Sequence, residues 1–508
     1  MPVISFSRRL YELARAQPDR PAVTCGDTTV TRAELVQLGD DLAVHLHEQG
    51  VREGDMVTIA VPNSIDWFIA YLATWRLGAI PQPISSRLPR RELDAIMELA
   101  NPSAVVGVDP APADPALDDP FLAGRCRIPL GFRAPHADAS HLPDLISPAW
   151  KAPTSGGSTG RPKLIVSGDP ASLDTDAPPP LLLGTDGCLV MPGPLYHNGP
   201  GVWSCQALLA GNHVALLQRF DAEATLAAIE QHRGTVLYVV PTMMKRIWRL
   251  PEAVREGYDL SSLRVVWHLA EPCPEWLKQV WIDWLGAERI YELYAGTEAQ
   301  TATVITGPDW LAHRGSVGRS QPGTVMITDD DGNELPAGEM GEVWLRSLDR
   351  DTPTYRYLGA EARTREGGWE SLGDMGYLDV EGYLYLGDRA ADMILSGGAN
   401  IYPAEVEAAL QEHGGIHSCA VIGLPDEDKG NTVHAILEAD PGEIDLAELQ
   451  SFLAERLVVY KLPRTFEFVD VPLRDDAGKV RRNALRHERV EAMAAQPEKA
   501  AQQQAAQQ

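Results

Sequence analysis

Ten consecutive residues have the types and spacing for chemistry on a phosphate: Thr154, Ser155, Gly156, Gly157, Ser158, Thr159, Gly160, Arg161, Pro162 and Lys163. Glycines allow positive φ and a close approach of backbone to an anion, while the hydroxyls and the lysine supply donors to phosphate oxygens. The pattern points to a grip on a nucleoside triphosphate. It is not the GxxxxGK[ST] loop, because Arg161 and Pro162 separate Gly160 from Lys163 and Leu164 follows the lysine. A flexible Gly/Ser linker would have no reason to end in Arg-Pro-Lys and run into apolar Leu164, Ile165 and Val166.

Further along, Tyr291, Glu292, Leu293, Tyr294, Ala295, Gly296, Thr297 and Glu298 place a hydroxyl beside a carboxylate after a glycine. A carboxylate near a polyphosphate usually acts through a metal, and Mg²⁺ held by one or two carboxylates plus phosphate oxygens makes Glu298 the metal candidate. Alone, the stretch would read equally well as a turn capping a helix through Thr297. Asp374 follows Gly373, and an aspartate there can accept both hydroxyls of a ribose, although Gly-Asp is also a common turn pair. Gly387, Asp388 and Arg389 come next, then Ser396, Gly397 and Gly398. Near the end, Lys479 follows Gly478 in a charged stretch, which by composition is equally a solvated loop.

In this order the stretches resemble the motifs of the adenylate-forming superfamily, which comprises acyl-CoA synthetases, peptide-synthetase adenylation domains and luciferases. The similarity is greatest to acyl-CoA ligases of bulky carboxylic acids, and covers the chain from about the first helix to Arg486. It implies a large N-terminal domain, 1–388, of layered α/β subdomains, and a small mobile α+β C-terminal domain, 389–508, with the site between them. It also implies roles. The loop from Thr154 to Lys163 holds the phosphates of ATP, and Ala270, Glu271, Pro272 and Tyr294 line the nucleotide. Asp374 and Arg389 hold the ribose, and Thr297 donates to the α-phosphate. Glu298 binds Mg²⁺, and Lys479 bridges the acid and the α-phosphate. Gly397 and Gly398 border the channel for CoA. The acyl pocket is expected among Tyr196, His197, Trp203, Val239, Trp267 and Gly296, with small Ala270 and Gly296 leaving room for a wide substrate. His197 reads as a substrate contact, a base or a core histidine.

Three departures stand out. The phosphate loop carries an extra glycine, and Leu164 replaces the glycine usual after Lys163. The hinge position holds Ala391, with Asp392 as the neighbouring candidate. The acidic pair Asp475 and Asp476 stands where small or basic residues are more usual. The main reading is an ATP-dependent acyl-CoA ligase. An amide synthetase using the same adenylate with an amine acceptor is the alternative, and a non-catalytic nucleotide binder is opposed by Lys479, Thr297 and Glu298.

The elements that must position these groups can be read around them. Phe6, Leu10, Leu13 and Ala14 have helical spacing that stops before Pro18, and Thr31 with Glu34 predicts a capping box for a helix that closes at Gly50. Strands are expected at 57–61, 188–191, 235–240 and 263–269, alternating with helices at 65–77 and 199–209, which argues for an α/β layer fold. Residues 101–152 read as irregular connection. Beyond about 389 come a helix opening at Pro403, strands near 419–423 and 433–438 and a helix around 446–458, while 494–508, rich in Ala and Gln, is expected to fray or be disordered. A chain of 508 residues implies two to four domains, and a formal charge of −27 disfavours nucleic-acid or anionic-membrane partners. Six scattered cysteines without CxxC spacing indicate neither a disulfide framework nor a zinc site, and with no apolar span they fit a cytoplasmic protein, a monomer or homodimer.

Overall fold

Thr31 accepts a hydrogen bond from the Glu34 N–H, and Glu34 reaches back to the Thr31 N–H, so the helix Arg32–Glu48 opens on the reciprocal cap its sequence predicts. The computed structural model describes residues 3–88, 90–109, 122–156, 162–320, 322–348, 353–389, 392–396, 399–426, 430–475 and 478–505.

The parallel half of the largest sheet runs, neighbour to neighbour, through Ile290–Ala295, Val265–Leu269, Val236–Val239, Cys188–Met191, His213–Leu216 and Pro21–Cys25. Cys188–Met191, Val236–Val239 and Val265–Leu269 are buried at every position, which is why they read as nearly continuous apolar runs, broken only by His268, rather than alternating ones. The helices Asn198–Leu209, Ala222–His232, Pro241–Trp248 and Glu275–Leu285 intervene along the chain, as parallel strands require. Because the strands are parallel, the turns that follow them open on one edge, where ligands of α/β sheets sit.

Beyond Ile290–Ala295 the sheet becomes antiparallel through Ala302–Thr306, Ser316–Ser320, Leu384–Arg389, Trp369–Leu378, Gly341–Arg346 and Thr324–Thr328. A smaller sheet joins Thr154–Gly156, Pro162–Ser167 and Tyr355–Leu358, all antiparallel.

Two stretches differ from the sequence reading. Residues 101–152 are not wholly irregular: Ala104–Val106 and Cys126–Ile128 add two parallel strands beside Met56–Ile59 and Ile80–Pro83. Three-residue strands are too short for periodicity to reveal. At the other end the backbone is helical from Arg482 to Ala505, where fraying was expected from 494. Alanine and glutamine are strong helix formers, and that intrinsic preference acts without an apolar face.

The C-terminal unit pairs Ser418–Asp426 with Gly430–Glu438 antiparallel and the latter with Thr465–Val469 in parallel, beside the helices Pro403–Gln411 and Leu446–Ala454. It has its own core of Ile394, Ile401, Val406, Leu410, Val421, Val433, Leu449 and Leu453, separate from the N-terminal core around Phe68, Leu189, Val239, Val266 and Trp281. Between them, the last N-terminal strand ends at Arg389 and the first C-terminal core residue is Ile394.

Candidate active site

The phosphate-loop candidate is a strand–loop–strand hairpin: Gly156 pairs with Pro162, Ser155 with Lys163 and Thr154 with Leu164. No helix follows it, in accord with the failure of the GxxxxGK[ST] pattern. Residues 157–161, with the candidates Gly157, Ser158, Thr159 and Gly160, lie outside the described residues. The third strand of this sheet places Tyr357 opposite Ile165, and since Lys163 and Ile165 share a face, Lys163 and Tyr357 are diagonal neighbours. The Lys163 ammonium lies 3.9 Å from the centroid of the Tyr357 ring.

Both side chains converge on Glu298, which is buried beyond the carboxyl end of Ile290–Ala295. Lys163 Nζ is 3.3 Å from Glu298 Oε1, and the Tyr357 hydroxyl donates to the same oxygen at 2.5 Å. Burial, then the hydrogen bond to Glu298, pushes the Tyr357 phenol upward, so it stays a donor at any working pH. Oε2 receives no donor among the described residues. Although no group of three or more His, Cys, Asp or Glu assembles a metal cage among the described residues, one carboxylate oxygen beside a phosphate grip suits Mg²⁺ completed by phosphate oxygens.

A second cluster surrounds Glu271, in the turn after Val265–Leu269. Ala270 has φ +72°, a left-handed conformation unusual for alanine, which turns the chain sharply. Glu271 Oε2 accepts from the Thr242 N–H at 3.1 Å and the Thr242 hydroxyl at 2.8 Å. Oε1 is shut off from solvent without a hydrogen-bond partner, and burial raises the carboxyl to about 7 against the opposing charge of Arg474. Gly478 lies directly over it. The turn that presents Lys479 is fixed by its own bonds: the Lys479 N–H donates to Asp475 Oδ1 at 2.9 Å, and the Gly478 N–H to the Asp475 carbonyl at 2.8 Å. Lys479 and Arg481 stand near enough to His197 for their charges to join burial, the larger cause, in lowering its pKa to about 3. The turn that carries Lys479 therefore lies against Glu271 of the N-terminal domain.

Two matches with known proteins follow this geometry. The AMP-binding enzyme family matches residues 10–349, and the AMP-binding enzyme C-terminal domain matches residues 405–479. The chain belongs to the AMP-binding enzyme family. Feruloyl-CoA synthase from Amycolatopsis is 33% identical over 487 residues, covering 93% of this chain and 96% of that protein. The o-succinylbenzoate CoA synthetase of Bacillus subtilis, solved with its acyl-adenylate intermediate, superposes with a TM-score of 0.77 at 25% identity, covering 96% of this chain and 98% of that one. The amide bond synthetase of Marinactinospora thermotolerans superposes with a TM-score of 0.75 at 26% identity, covering 95% of this chain and 98% of that one.

The remaining site candidates of this AMP-binding enzyme divide. Asp374 and Arg389 are register partners across neighbouring strands, and Tyr294 donates to Asp374 Oδ2 at 2.6 Å. Thr297 stands beside Glu298 in the turn, and no helix follows it for it to cap. Trp203 meets Trp267 edge to face at 5.9 Å, and Tyr238 at 5.4 Å, forming an apolar wall; Tyr196 lies against His197 at 4.3 Å.

Val239 is not brought to that wall. Tyr238 pairs with Trp267, and Val239 with His268, so strand alternation turns Val239 to the opposite face. Gly296 does not widen a pocket either: a Cβ there would lie 2.4 Å from Leu372 and 3.0 Å from Glu298 Oε2, so the glycine is needed for close packing. His197, at about 3, is neutral at working pH and too weak to serve as a base, so of its three readings the substrate contact and the core histidine remain. Asp392 is ion-paired to Arg482 at 3.4 Å and so is tied to the C-terminal unit, while Ala391, Gly397 and Gly398 lie outside the described residues. Sequence reasoning missed Tyr357 and Thr242. Each is placed by contacts between distant segments, and neither carries a motif of its own.

Proposed function

We propose that this AMP-binding enzyme is an ATP-dependent acyl-CoA ligase that activates a bulky aromatic or polycyclic carboxylic acid as its acyl-AMP and then transfers the acyl group to CoA. The carrying observation is the docking of Gly478 on Glu271, which brings the turn carrying Lys479 onto the N-terminal domain that also holds Lys163 and Glu298 together. In the first half-reaction a carboxylate oxygen of the acid forms a bond to the α-phosphorus as the bond to pyrophosphate breaks. Lys479 neutralises the approaching acid and the α-phosphate, Thr297 donates to the α-phosphate, and Lys163 with the hairpin loop holds the departing pyrophosphate, so catalysis is positioning and electrostatics. Mg²⁺, when bound, would sit on Glu298 and offset phosphate charge.

In the second half-reaction a thiol sulfur attacks the acyl carbon, its proton is lost, and AMP leaves. The separate cores on either side of residues 390–393 support domains at 1–388 and 389–508 and a rotation between the two steps about Ala391 or Asp392, with CoA entering past Gly397 and Gly398. The wall of Trp203, Tyr238 and Trp267 supports a wide, flat acyl group. We place it in the cytoplasm, working on small-molecule substrates; among the described residues no helix is long and apolar enough to cross a membrane.

Likeness to the amide bond synthetase favours one second reading, in which an amine replaces the thiol. Pyrophosphate release that requires both ATP and a carboxylic acid tests the adenylate-forming step. The mass of the product formed with CoA, against that formed with a panel of amines, decides the acceptor. Release of pyrophosphate without any acid, or none with every acid tried, would overturn the ligase reading.

A further inference from the structure

Lys151 belongs to none of the motifs above, yet its side chain runs into the floor of the cleft with 9% of the residue exposed. Its ammonium donates to Asn198 Oδ1 and lies 4.9 Å from the Trp150 ring centroid. An ammonium has three N–H donors, and among the described residues Asn198 is the one hydrogen-bond acceptor it meets. Leaving the donors of a buried ammonium unmatched is unfavourable. Burial lowers its pKa to about 8 against the opposing pull of Glu298 and Asp169, which still leaves it charged at neutral pH.

The same ammonium borders a cavity of ≈ 10 Å³ lined by Tyr71, Trp150, Leu195, His197 and Asn198. A space of that size admits about one oxygen-sized group. His197 Nε2, shut off from solvent, has no hydrogen-bond partner there. Gly201 and Val202 also line the cavity, on the helix Asn198–Leu209 whose next residue, Trp203, packs against Tyr238 and Trp267. Two kinds of unmatched polar group thus face one atom-sized space next to an aromatic acyl wall.

We propose that Lys151, steadied by Asn198 and flanked by His197, is a specificity-determining residue that binds an acceptor oxygen of the acid other than its reacting carboxylate. The selected substrates are bulky acids carrying a hydroxyl, keto or second carboxylate group, in preference to their deoxygenated counterparts. This rests on the acyl-CoA ligase reading for the identity of the reaction, and adds the chemistry of the substrate. A site built to hydrogen-bond a substituent rejects the analogue lacking it, because its own polar groups are then left unpaired.

The test is pyrophosphate release with paired acids: cinnamic acid against its ring hydroxyl, keto and carboxyl derivatives, and a saturated polycyclic acid against its hydroxyl and keto derivatives. Wild type is expected to favour the best oxygenated acid by roughly 10- to 1000-fold in kcat/KM. Lys151→Met is expected to bring that ratio to within about threefold of unity by raising KM for the oxygenated acid, with the deoxygenated acid turned over as before. Asn198→Leu, which removes the acceptor that steadies the ammonium, gives the same direction with smaller size, and serves if the lysine variant does not fold. Acids that are activated with no preference in wild type, a preference that survives Lys151→Met, or equal losses on both members of a pair would overturn the proposal; the last would show a structural lysine. Failure of every acid to release pyrophosphate would instead overturn the ligase reading itself.

Discussion

A Cβ on Gly478 would lie 1.3 Å from Glu271 Oε1, so the turn carrying Lys479 docks on the N-terminal cleft only because residue 478 has no side chain. The backbone there has φ +79°, which independently favours glycine. Glu271 cannot yield easily, because Thr242 holds its other oxygen by two hydrogen bonds. Gly478→Ala is therefore expected to lower acid-dependent pyrophosphate release by on the order of 100-fold, the scale of a misplaced reacting group. Thioester formation from supplied acyl-adenylate should persist in both Gly478→Ala and Lys479→Ala, because the lysine is proposed to serve the first step alone. Equal loss in both steps would reject this division of labour.

The same carboxyl makes stability depend on pH. In the folded protein Glu271 is raised to about 7 from the usual 4.5, chiefly by burial. The folded state then binds the proton more tightly than the unfolded chain, so its contribution is fully present below the unfolded value and is lost as pH rises through about 7. Glu271→Gln keeps an acceptor for Thr242 and removes the titration. Thermal unfolding followed from pH 5.5 to pH 8.5 should show wild type losing Tm across the interval and the variant losing several degrees less. Parallel curves would mean that Glu271 does not titrate there.

What the sequence revealed and what it hid differ by the range of the interactions involved. Strands such as Cys188–Met191 were legible because burial on both faces leaves an unbroken apolar run, and the helix Arg32–Glu48 because its cap lies within four residues. Lys163 and Glu298 were named from motif order, and the structure brings them to 3.3 Å of each other. Tyr357 was not, because its place beside Lys163 follows from a strand pairing with a segment nearly two hundred positions away in sequence. Val239 and Trp267 were both expected in the acyl pocket from the resemblance, and only the register of the parallel strands separates their faces. The tightness of Gly478 against Glu271 belongs to the docking of two bodies, which no local pattern encodes.

Tyr357 offers a test of the Glu298 arrangement. Its hydroxyl donates to the oxygen that also meets Lys163, fixing the carboxylate whose other oxygen suits a divalent ion. Partners that orient a metal ligand typically contribute 10- to 100-fold in metal affinity or activity. Tyr357→Phe keeps the ring against the Lys163 ammonium and removes only the hydroxyl. The expected result is a Mg²⁺ requirement raised about tenfold, with KM for the acid unchanged. An unchanged Mg²⁺ titration would show that Glu298 is oriented without Tyr357, or that it does not hold the ion.

The last prediction concerns the hinge. Asp392 is ion-paired to Arg482, and Arg482 in turn bonds both oxygens of Glu407, so Asp392 is tied to the C-terminal unit. If that unit rotates as proposed, the tie to Arg482 leaves Ala391, rather than Asp392, as the expected pivot. Proline fixes φ near about −65° and removes an N–H. Ala391→Pro is thus expected to restrain rotation while leaving Lys163, Glu298 and Glu271 in place. Adenylate formation should persist within a fewfold, and transfer to CoA should fall by about 100-fold or more, the loss that follows when reacting groups cannot be brought into line. Asp392→Ala, which releases the tie to Arg482, should instead leave transfer intact. If a folded Ala391→Pro protein transfers its acyl group to CoA at the unmodified rate, the rotation lies elsewhere. If it forms amides at that rate while thioester formation collapses, the amine-accepting reading gains, because a small amine can reach the adenylate without the thiol channel being assembled.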